Sequence, residues 1–278
     1  MKILVTGAKG MLGQDLCPIL EDEGYDVLET DKENLDITNE LAVEKYFKEA
    51  KPDIVVHCAA YTKVDKAEQE PQTAELINST GTAIVAKAAS KYNSLMIYIS
   101  TDYVFDGTKK TPYLPNDKTC PLNIYGKTKL EGEKFVEKYC KKYYIIRTSW
   151  LYGIHGENFV EKIIELSMKK EIKIVCDQIG SPTWTVELAG GITELIDEKL
   201  PYGIYHISGS GQTTWFDFAK EILEIQGYDG KLIPCKTSEY PSVAIRPAYS
   251  YMESSVYTRR WEAALRDYMI LRPEGAVL

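Results

Sequence analysis

The glycine-rich turn Gly7–Gly13, which reads Gly-Ala-Lys-Gly-Met-Leu-Gly, most narrowly limits the folds open to this chain. It follows a short apolar run at Lys2–Thr6 and opens a stretch whose apolar residues recur at helical spacing from Leu12 to Leu20. Such a turn lets the backbone approach a pyrophosphate, which the free N–H groups and positive dipole end of the helix can bind. The order strand, glycine turn, helix therefore predicts a dinucleotide-binding fold, although a purely structural turn can have the same residues.

Short apolar runs alternate with longer amphipathic stretches along most of the chain. The runs are rich in Val, Ile and Tyr, and most are apolar at successive positions, as in strands buried on both faces of a parallel sheet. They are Lys2–Thr6, Tyr25–Glu29, Asp53–Cys58, Leu95–Ser100, Tyr143–Thr148, Ile172–Cys176 and Gly203–Ile207. Helices are predicted near residues 12–20, 41–47, 71–92 and 123–140. The alternation predicts an α/β protein with a doubly wound, Rossmann-like parallel sheet.

The alternation loosens after Trp150, where stretches rich in Gly, Pro and Tyr begin. We therefore predict a dinucleotide-binding domain over residues 1–150 and a smaller, less regular domain, mainly substrate-binding, over residues 151–278. The apolar runs at 172–176 and 203–207 are predicted to return to the main sheet.

Composition excludes several function classes. The chain of 278 residues carries 33 Lys and Arg against 41 Asp and Glu, a net charge of −8, which disfavours nucleic acid or an anionic membrane as partner. Three scattered His and six Cys without a CxxC pair predict no metal site and reduced thiols, as in a cytoplasmic protein. We expect no signal peptide, because the opening Met-Lys-Ile-Leu-Val leads directly into a strand, and no apolar run is long enough to span a membrane.

The turn has GxxGxxG spacing, which resembles the extended branch of the short-chain dehydrogenase/reductase superfamily. Asp31 follows the second predicted strand, where an acid can bind the adenosine ribose hydroxyls. A carboxylate there favours NADH, because it repels a 2′-phosphate, while the neighbouring Lys32 leaves NADPH open. Asp36 and Ile37 lie where this superfamily often holds the adenine ring, although Asp36 suits a turn equally well.

A Tyr-x-x-x-Lys pattern begins the predicted helix after the fourth strand. Tyr125 and Lys129 are four residues apart and share one helix face. A nearby ammonium is expected to lower the phenol pKa of Tyr125, so that its hydroxyl can protonate a developing alkoxide. Thr101 ends the preceding strand, at the edge where open α/β sheets bind ligands, and can orient a carbonyl. Its hydroxyl can also serve only as a cap.

Seven motifs together resemble the dTDP-4-dehydrorhamnose reductase family over nearly the whole chain. They are GAKGMLG at 7–13, CAAYTKVDKAE at 58–68, STDYVFDG at 100–107, PLNIYGKTKLEGE at 121–133, RTSWLYG at 147–153, DQIGSPT at 177–183 and RPAYS at 246–250. The resemblance implies reduction of dTDP-4-dehydro-L-rhamnose to dTDP-L-rhamnose, in nucleotide-sugar biosynthesis, by hydride transfer from NADPH or NADH.

The resemblance also implies roles for matched residues. The catalytic residues would be Thr101, Tyr125 and Lys129. The cofactor would contact Gly7, Gly10, Met11, Leu12, Gly13, Asp31, Asp36, Ile37, Ala59, Ala60, Tyr61, Thr62, Tyr125 and Lys129. The substrate would contact Thr101, Asp102, Trp150, Asn158, Lys162, Gln178, Thr183 and Arg246, with Arg246 suited to a diphosphate. For some of these a structural role is a fair alternative: core packing for Trp150 and a surface ion pair for Lys162.

Other functions remain open at this point. Nucleotide-sugar dehydratases carry an Asp-Glu pair after the Thr, whereas here Asp102 is followed by Tyr103, which argues against that class. An NAD-dependent epimerase and a non-catalytic regulatory subunit of the same fold are the remaining alternatives. Some family members dimerise through a metal held by acidic residues near the C-terminus. Such residues cannot be matched here, so no metal is predicted and a homodimer stays open.

Overall fold

A computed structural model describes residues 1–272 of the chain. The strands are β1 (Lys2–Thr6), β2 (Asp26–Thr30), β3 (Ile54–His57), β4 (Leu95–Thr101), β5 (Tyr143–Thr148), β6 (Leu151–Tyr152), β7 (Glu171–Val175), β8 (Ile179–Gly180), β9 (Thr183–Trp184), β10 (Gly203–His206), β11 (Thr213–Thr214) and β12 (Lys231–Cys235). The α-helices are α1 (Met11–Asp22), α2 (Glu40–Ala50), α3 (Val64–Gln69), α4 (Pro71–Glu75), α5 (Thr82–Lys91), α6 (Ile124–Tyr139), α7 (Phe159–Leu166), α8 (Thr185–Asp197), α9 (Trp215–Ile225) and α10 (Trp261–Leu271).

Six strands form the central sheet, in the order β10-β5-β4-β3-β1-β2, and all their pairings are parallel. Strand β1 lies in the middle, with Ile3 opposite Val27 of β2 on one side and Ile54 of β3 on the other. All four residues of β3 are buried, as expected for a strand covered on both faces. The predicted doubly wound, Rossmann-like fold is confirmed.

Helices cover both faces of this sheet because successive side chains of a buried strand point to opposite faces. Ile3 and Val5 pack in one apolar cluster with Leu16 of α1 and Leu188 of α8. Leu4 lies between them in sequence and belongs to the other cluster, which includes residues of α2, α5 and α6. The sheet therefore has an apolar layer on each side, and its strand ends stay free to carry functional groups.

The start of α6 is drawn tightly against the end of β4. The Asn123 side chain caps this helix by accepting a hydrogen bond from the Gly126 N–H at 2.8 Å. A Cβ atom at position 126 would collide with the carbonyl oxygen of Tyr103, so glycine is required for the close approach. This contact brings the first turns of α6 beside the residues that follow β4.

One of the two predicted returning strands joins the sheet and the other does not. Strand β10 pairs with β5 at the sheet edge, as predicted. Strand β7 instead pairs with β12 in a separate two-stranded sheet, so the prediction for 172–176 was wrong. Residues of β7 alternate between exposed and buried at its start, which is typical of a strand covered on one face only.

Two further points complete the fold. The predicted helix over residues 71–92 is divided by a π-helical segment, Leu76–Gly81, between α4 and α5. Within residues 1–272, no helix is long and apolar enough to cross a membrane. The division into domains at residue 150 stays a prediction.

Candidate active site

A cavity of about 990 Å³ opens at the carboxyl ends of five neighbouring strands of the central sheet. Its lining comes mainly from the segments that follow β1, β2, β3, β4 and β5, with Trp215 from the start of α9. Carboxyl ends of strands in open parallel sheets are where ligands bind in this class of fold. The cavity is large enough for a dinucleotide with a second ligand beside it.

The glycine turn lines this cavity, and two of its glycines have no space for a Cβ atom. Gly7 has a positive φ of 69°, and a Cβ atom there would lie 2.7 Å from the Ala59 backbone nitrogen. A Cβ atom at Gly13 would lie 2.5 Å from the carbonyl oxygen of Ala8. The bare backbone and the N-terminus of α1 together suit a pyrophosphate, so the residues present fit a bound dinucleotide.

Charged residues surround the end of β2, where the adenosine ribose is expected. The Asp31 carboxylate accepts hydrogen bonds from the Lys9 N–H at 3.1 Å and the Lys32 N–H at 2.7 Å. The Lys9 ammonium pairs with Glu33 at 2.6 Å. Lys9, Lys32 and Glu33 all line the cavity, and of these only Lys32 was singled out from the sequence, for its effect on the choice of coenzyme. Two lysines and two carboxylates at this place are compatible with either a ribose hydroxyl or a 2′-phosphate of the coenzyme.

Thr101, Tyr125 and Lys129 meet on one wall of the cavity. Thr101 ends β4, and the other two project from the first turns of α6. The Lys129 ammonium donates a hydrogen bond to the Ile99 carbonyl at 2.6 Å and lies 4.1 Å from the ring centroid of Tyr98. The strand end and the helix face thus bring a hydroxyl, a phenol and an ammonium together, as the sequence predicts.

The protonation states differ from the sequence-based expectation that Lys129 lowers the pKa of Tyr125. Burial raises the pKa of Tyr125 to about 12, and the Thr101 side chain only partly opposes this. Burial also lowers the pKa of Lys129 to about 7, with the Glu133 charge acting in the opposite direction. The reason is geometric, because the Lys129 ammonium donates its hydrogen bond to the Ile99 carbonyl and the Tyr125 phenol is shielded from water. Tyr125 therefore keeps its proton until a stronger base develops beside it.

Asp102 adds a carboxyl group next to Thr101. It is 3% exposed, and its Oδ1 accepts a hydrogen bond from the Thr101 hydroxyl at 3.1 Å. Burial raises the pKa of Asp102 to about 6, and hydrogen bonding by Ser250 and Thr101 limits the increase. The group lines the cavity beside the three catalytic candidates and can contact a polar substrate.

Two stacked indole rings, those of Trp150 and Trp215, also line the cavity. Trp150 and Trp215 have ring centroids 3.5 Å apart and ring planes 8° apart. Trp150 has a φ of 46°, an unusual value for a bulky residue, and a Cβ atom at Gly180 would lie 2.5 Å from its ring. The Trp215 indole N–H donates to Gln178 at 3.1 Å. Trp215 was missed in the sequence, because nothing near α9 marks it as a neighbour of β5.

Most predicted site residues line the cavity. They are Gly7, Gly10, Met11, Leu12, Gly13, Asp31, Asp36, Ile37, Ala59, Ala60, Thr62, Thr101, Asp102, Tyr125, Lys129 and Trp150. Other lining residues include Cys58, Tyr103 and Ser149, which lie within the quoted motifs but were given no role there, and Glu157, which lies outside all of them.

Six predicted residues are absent from the cavity lining: Tyr61, Asn158, Lys162, Gln178, Thr183 and Arg246. Asn158 caps α7 by accepting from the Glu161 N–H, and Lys162 forms an exposed ion pair with Glu165 at 2.7 Å. Gln178 donates to the Thr237 hydroxyl at 3.1 Å and supports Trp215.

The other three also have protein partners. The Tyr61 hydroxyl donates to Glu70 at 2.9 Å, and the Thr183 hydroxyl accepts from the Gly209 N–H at 3.2 Å. Arg246 pairs with Asp65 at 2.7 Å. Ligand contacts of these six residues stay predictions, and the structure gives each of them a structural role.

No group of three or more His, Cys, Asp or Glu residues within 1–272 is arranged to hold a metal ion. The acidic residue Glu274, near the C-terminus, lies outside the described residues.

Comparisons with known proteins agree with this geometry. The family model described as RmlD substrate binding domain matches residues 1–270. The spore coat polysaccharide biosynthesis protein SpsK of Bacillus subtilis (strain 168) is 42% identical over 275 residues, which cover 96% of each chain. A crystal structure of a dTDP-4-dehydrorhamnose reductase from Clostridium acetobutylicum ATCC 824 is 46% identical, with a TM-score of 0.95 over 98% of this chain and 99% of that one. A dTDP-4-dehydrorhamnose reductase from Bacillus anthracis str. Ames in complex with NADP is 42% identical, with a TM-score of 0.94 over 97% and 98% of the two chains.

Proposed function

The chain belongs to the RmlD substrate binding domain family, and from this premise we propose that it reduces dTDP-4-dehydro-L-rhamnose to dTDP-L-rhamnose. NADPH or NADH is the hydride donor. One observation carries the proposal: Thr101, Tyr125 and Lys129 line the same cavity as the glycine turn. A carbonyl held beside the phenol thus lies within one cavity with a bound dinucleotide.

The bound coenzyme supplies the hydride that reaches C4 of the sugar. As the oxygen on C4 becomes an alkoxide, Tyr125 donates its phenolic proton to it, and the ketone becomes a hydroxyl group. A pKa near 12 suits this role, because the phenol stays protonated at neutral pH and is still a stronger acid than an aliphatic alcohol. A proton from water restores the phenol, Lys129 would hold the nicotinamide ribose of the coenzyme, and Thr101 holds the carbonyl oxygen in place.

The nucleotide sugar lies in this proposal between the catalytic wall and the stacked rings of Trp150 and Trp215. An indole face suits the apolar face of a 6-deoxyhexose. Asp102, whose carboxyl group is nearly buried beside Thr101, accepts a hydrogen bond from a sugar hydroxyl. No residue is assigned to the diphosphate of the substrate, because Arg246 forms an ion pair with Asp65.

The direct test measures NADPH and NADH oxidation with dTDP-4-dehydrorhamnose, and with the UDP and GDP analogues, in wild type and in Tyr125→Phe. We expect consumption of one equivalent of coenzyme by wild type and loss of turnover by about a hundredfold or more in Tyr125→Phe, with coenzyme binding retained. Tyr139→Phe is the matched control, since Tyr139 ends the same helix outside the cavity.

Three results would refute the proposal in different ways. Turnover retained in Tyr125→Phe would remove the assigned proton donor. Conversion of a nucleotide sugar without net coenzyme consumption would identify an epimerase. Absence of turnover with all keto-sugar nucleotides, together with co-purification at fixed stoichiometry, would favour a non-catalytic subunit.

Two further parts of the proposal concern location and assembly. A cytoplasmic location is supported by the six cysteines, all of which are free thiols in the structure. A homodimer stays a prediction, which sedimentation of the purified chain would test directly.

A further inference from the structure

A buried ion pair lies directly behind the catalytic wall, outside the cavity lining. Glu133 and Arg147 are each 2% exposed. The guanidinium binds the carboxylate with two hydrogen bonds, from Nε to Oε1 at 2.9 Å and from a terminal nitrogen to Oε2 at 2.7 Å. Neither residue contacts the cavity, so neither has a place in the reaction described above.

The pair joins β5 to β4 and α6, the two elements that carry the catalytic candidates. Glu133 belongs to α6, four residues after Lys129 and eight after Tyr125, and so lies on their helix face. Its Oε1 also accepts a hydrogen bond from the Ser100 hydroxyl on β4, one residue before Thr101. Arg147 lies on β5, directly opposite Ser100 in the parallel register. One carboxylate thus fixes α6 against both strands.

Arg147 is held in turn from two further directions. Its third hydrogen bond goes to the Pro115 carbonyl at 3.0 Å, and its guanidinium lies 5.2 Å from the ring centroid of Phe105. Each of the three guanidinium nitrogens of Arg147 therefore has a hydrogen-bond acceptor, and the Glu133 carboxylate has little freedom to move. This rigidity extends to the helix turn that carries Lys129.

A buried ion pair is weak evidence of a contribution to stability. Taking two charges out of water costs several kcal/mol, and replacing such a pair by apolar residues of similar volume is often neutral or stabilising. From the placement of this pair we infer that Glu133 and Arg147 are positioning residues, which set the register of α6 against β4 and hold Lys129 charged in the active site. This inference rests on the proposed reductase function.

The electrostatic part of the inference follows from the surroundings of Lys129. Tyr125 and Glu133 face it from its own helix, His57 and Cys58 from the end of β3, and Tyr98 from β4. Of these, Glu133 brings the negative charge that opposes desolvation and raises the pKa of Lys129. Without that charge the pKa of Lys129 falls further, so the ammonium is lost at a lower pH.

The test compares kcat, KM for the nucleotide sugar, and the pH dependence of kcat in Glu133→Gln and in the double variant Glu133→Gln/Arg147→Met. In Glu133→Gln we expect kcat to fall by about tenfold or more, unchanged NADPH affinity, and an alkaline limb displaced to lower pH by about 0.5 unit or more. In the double variant no guanidinium is left unpaired, so the alkaline limb should move less than in Glu133→Gln. The double variant also avoids an uncompensated buried charge, so it can fold even if Glu133→Gln does not. Glu187→Gln is the matched control, because Glu187 pairs with Arg259 away from the cavity.

A purely structural role makes a different prediction. In that case activity falls only with the folded fraction, and the pH limb of either variant coincides with that of wild type. That result, or wild-type kcat in either folded variant, would overturn the inference. Failure of wild type itself to oxidise NADPH with the keto-sugar would instead refute the proposed function.

Discussion

Replacing Lys129 by Met should separate the activity of this protein from its stability. Burial lowers the pKa of Lys129 from 10.5 to about 7, so the folded chain holds this proton less tightly than the unfolded chain does. Between these two pKa values the unfolded state binds more protons, and wild-type stability therefore rises with pH. Below the pKa that Lys129 has in the folded chain, the buried ammonium lowers the free energy of unfolding by its full amount. A Met side chain has no charge, so Lys129→Met does not lose that stability.

The magnitude follows from the two pKa values. Between about pH 6 and about pH 9, titration of Lys129 should change the free energy of unfolding of wild type, relative to Lys129→Met, by about 2.5 kcal/mol in favour of wild type. Urea denaturation of the coenzyme-free chain, followed by circular dichroism at both pH values, measures this difference. Lys127→Met, an exposed position on the same helix, is the control and should follow wild type.

A difference between wild type and Lys129→Met that stays constant over this pH range would refute the reasoning. It would mean that the ammonium is solvated or paired in the folded chain. Lys129→Met should in any case lose reductase turnover, since no ammonium then holds the nicotinamide ribose.

Three other perturbations test separate parts of the structure. Gly13→Ala places a Cβ atom 2.5 Å from the Ala8 carbonyl oxygen, so urea denaturation should report a loss of about 2 kcal/mol or more and fluorescence titration a weaker affinity for NADPH; an unchanged affinity would contradict the pyrophosphate cradle. Trp215→Ala removes one of the stacked rings, so KM for the nucleotide sugar should rise about tenfold while NADPH affinity stays the same. Equal losses of affinity for sugar and coenzyme would show that Trp215 does not bind the sugar specifically. Hydrogen bonding by Arg246 lowers the pKa of Asp65 to about 2, so the stability that wild type has over Asp65→Asn should be lost as pH falls from 3.8 towards 2; parallel acid-denaturation curves would exclude this ion pair in solution.

The main sheet and the catalytic wall could be predicted because local sequence specifies them. The apolar runs of β1, β3, β4 and β5 are buried on both faces, and a continuous apolar run is a direct record of that burial. Thr101 ends β4 and the Tyr125–Lys129 pair lies on the helix that follows, α6. Their proximity therefore follows from the rule that ligands bind at the carboxyl ends of the strands in such units.

The remaining errors concern contacts between residues far apart in sequence. Strand β7 was predicted in the main sheet because its sequence contains an apolar run like the others. Its exposed Glu171 and Lys173 indicate a strand that is covered on one face only, and it pairs with β12. Trp215 reaches the cavity because it stacks on Trp150, 65 positions earlier, and no local pattern encodes that contact. Arg246 looked free for a diphosphate because its partner, Asp65, lies 181 residues away.

In the proposed reaction this chain transfers hydride from the coenzyme to C4 of a dTDP-bound keto-sugar. The most direct measurement supplies coenzyme deuterated at both nicotinamide C4 positions, together with dTDP-4-dehydrorhamnose, and locates the deuterium in the product by NMR and mass spectrometry. We predict one deuterium, bound to C4 of the sugar in dTDP-L-rhamnose, and none with Tyr125→Phe in the same time. Deuterium at another carbon, or an unlabelled product formed at the full rate, would contradict the account.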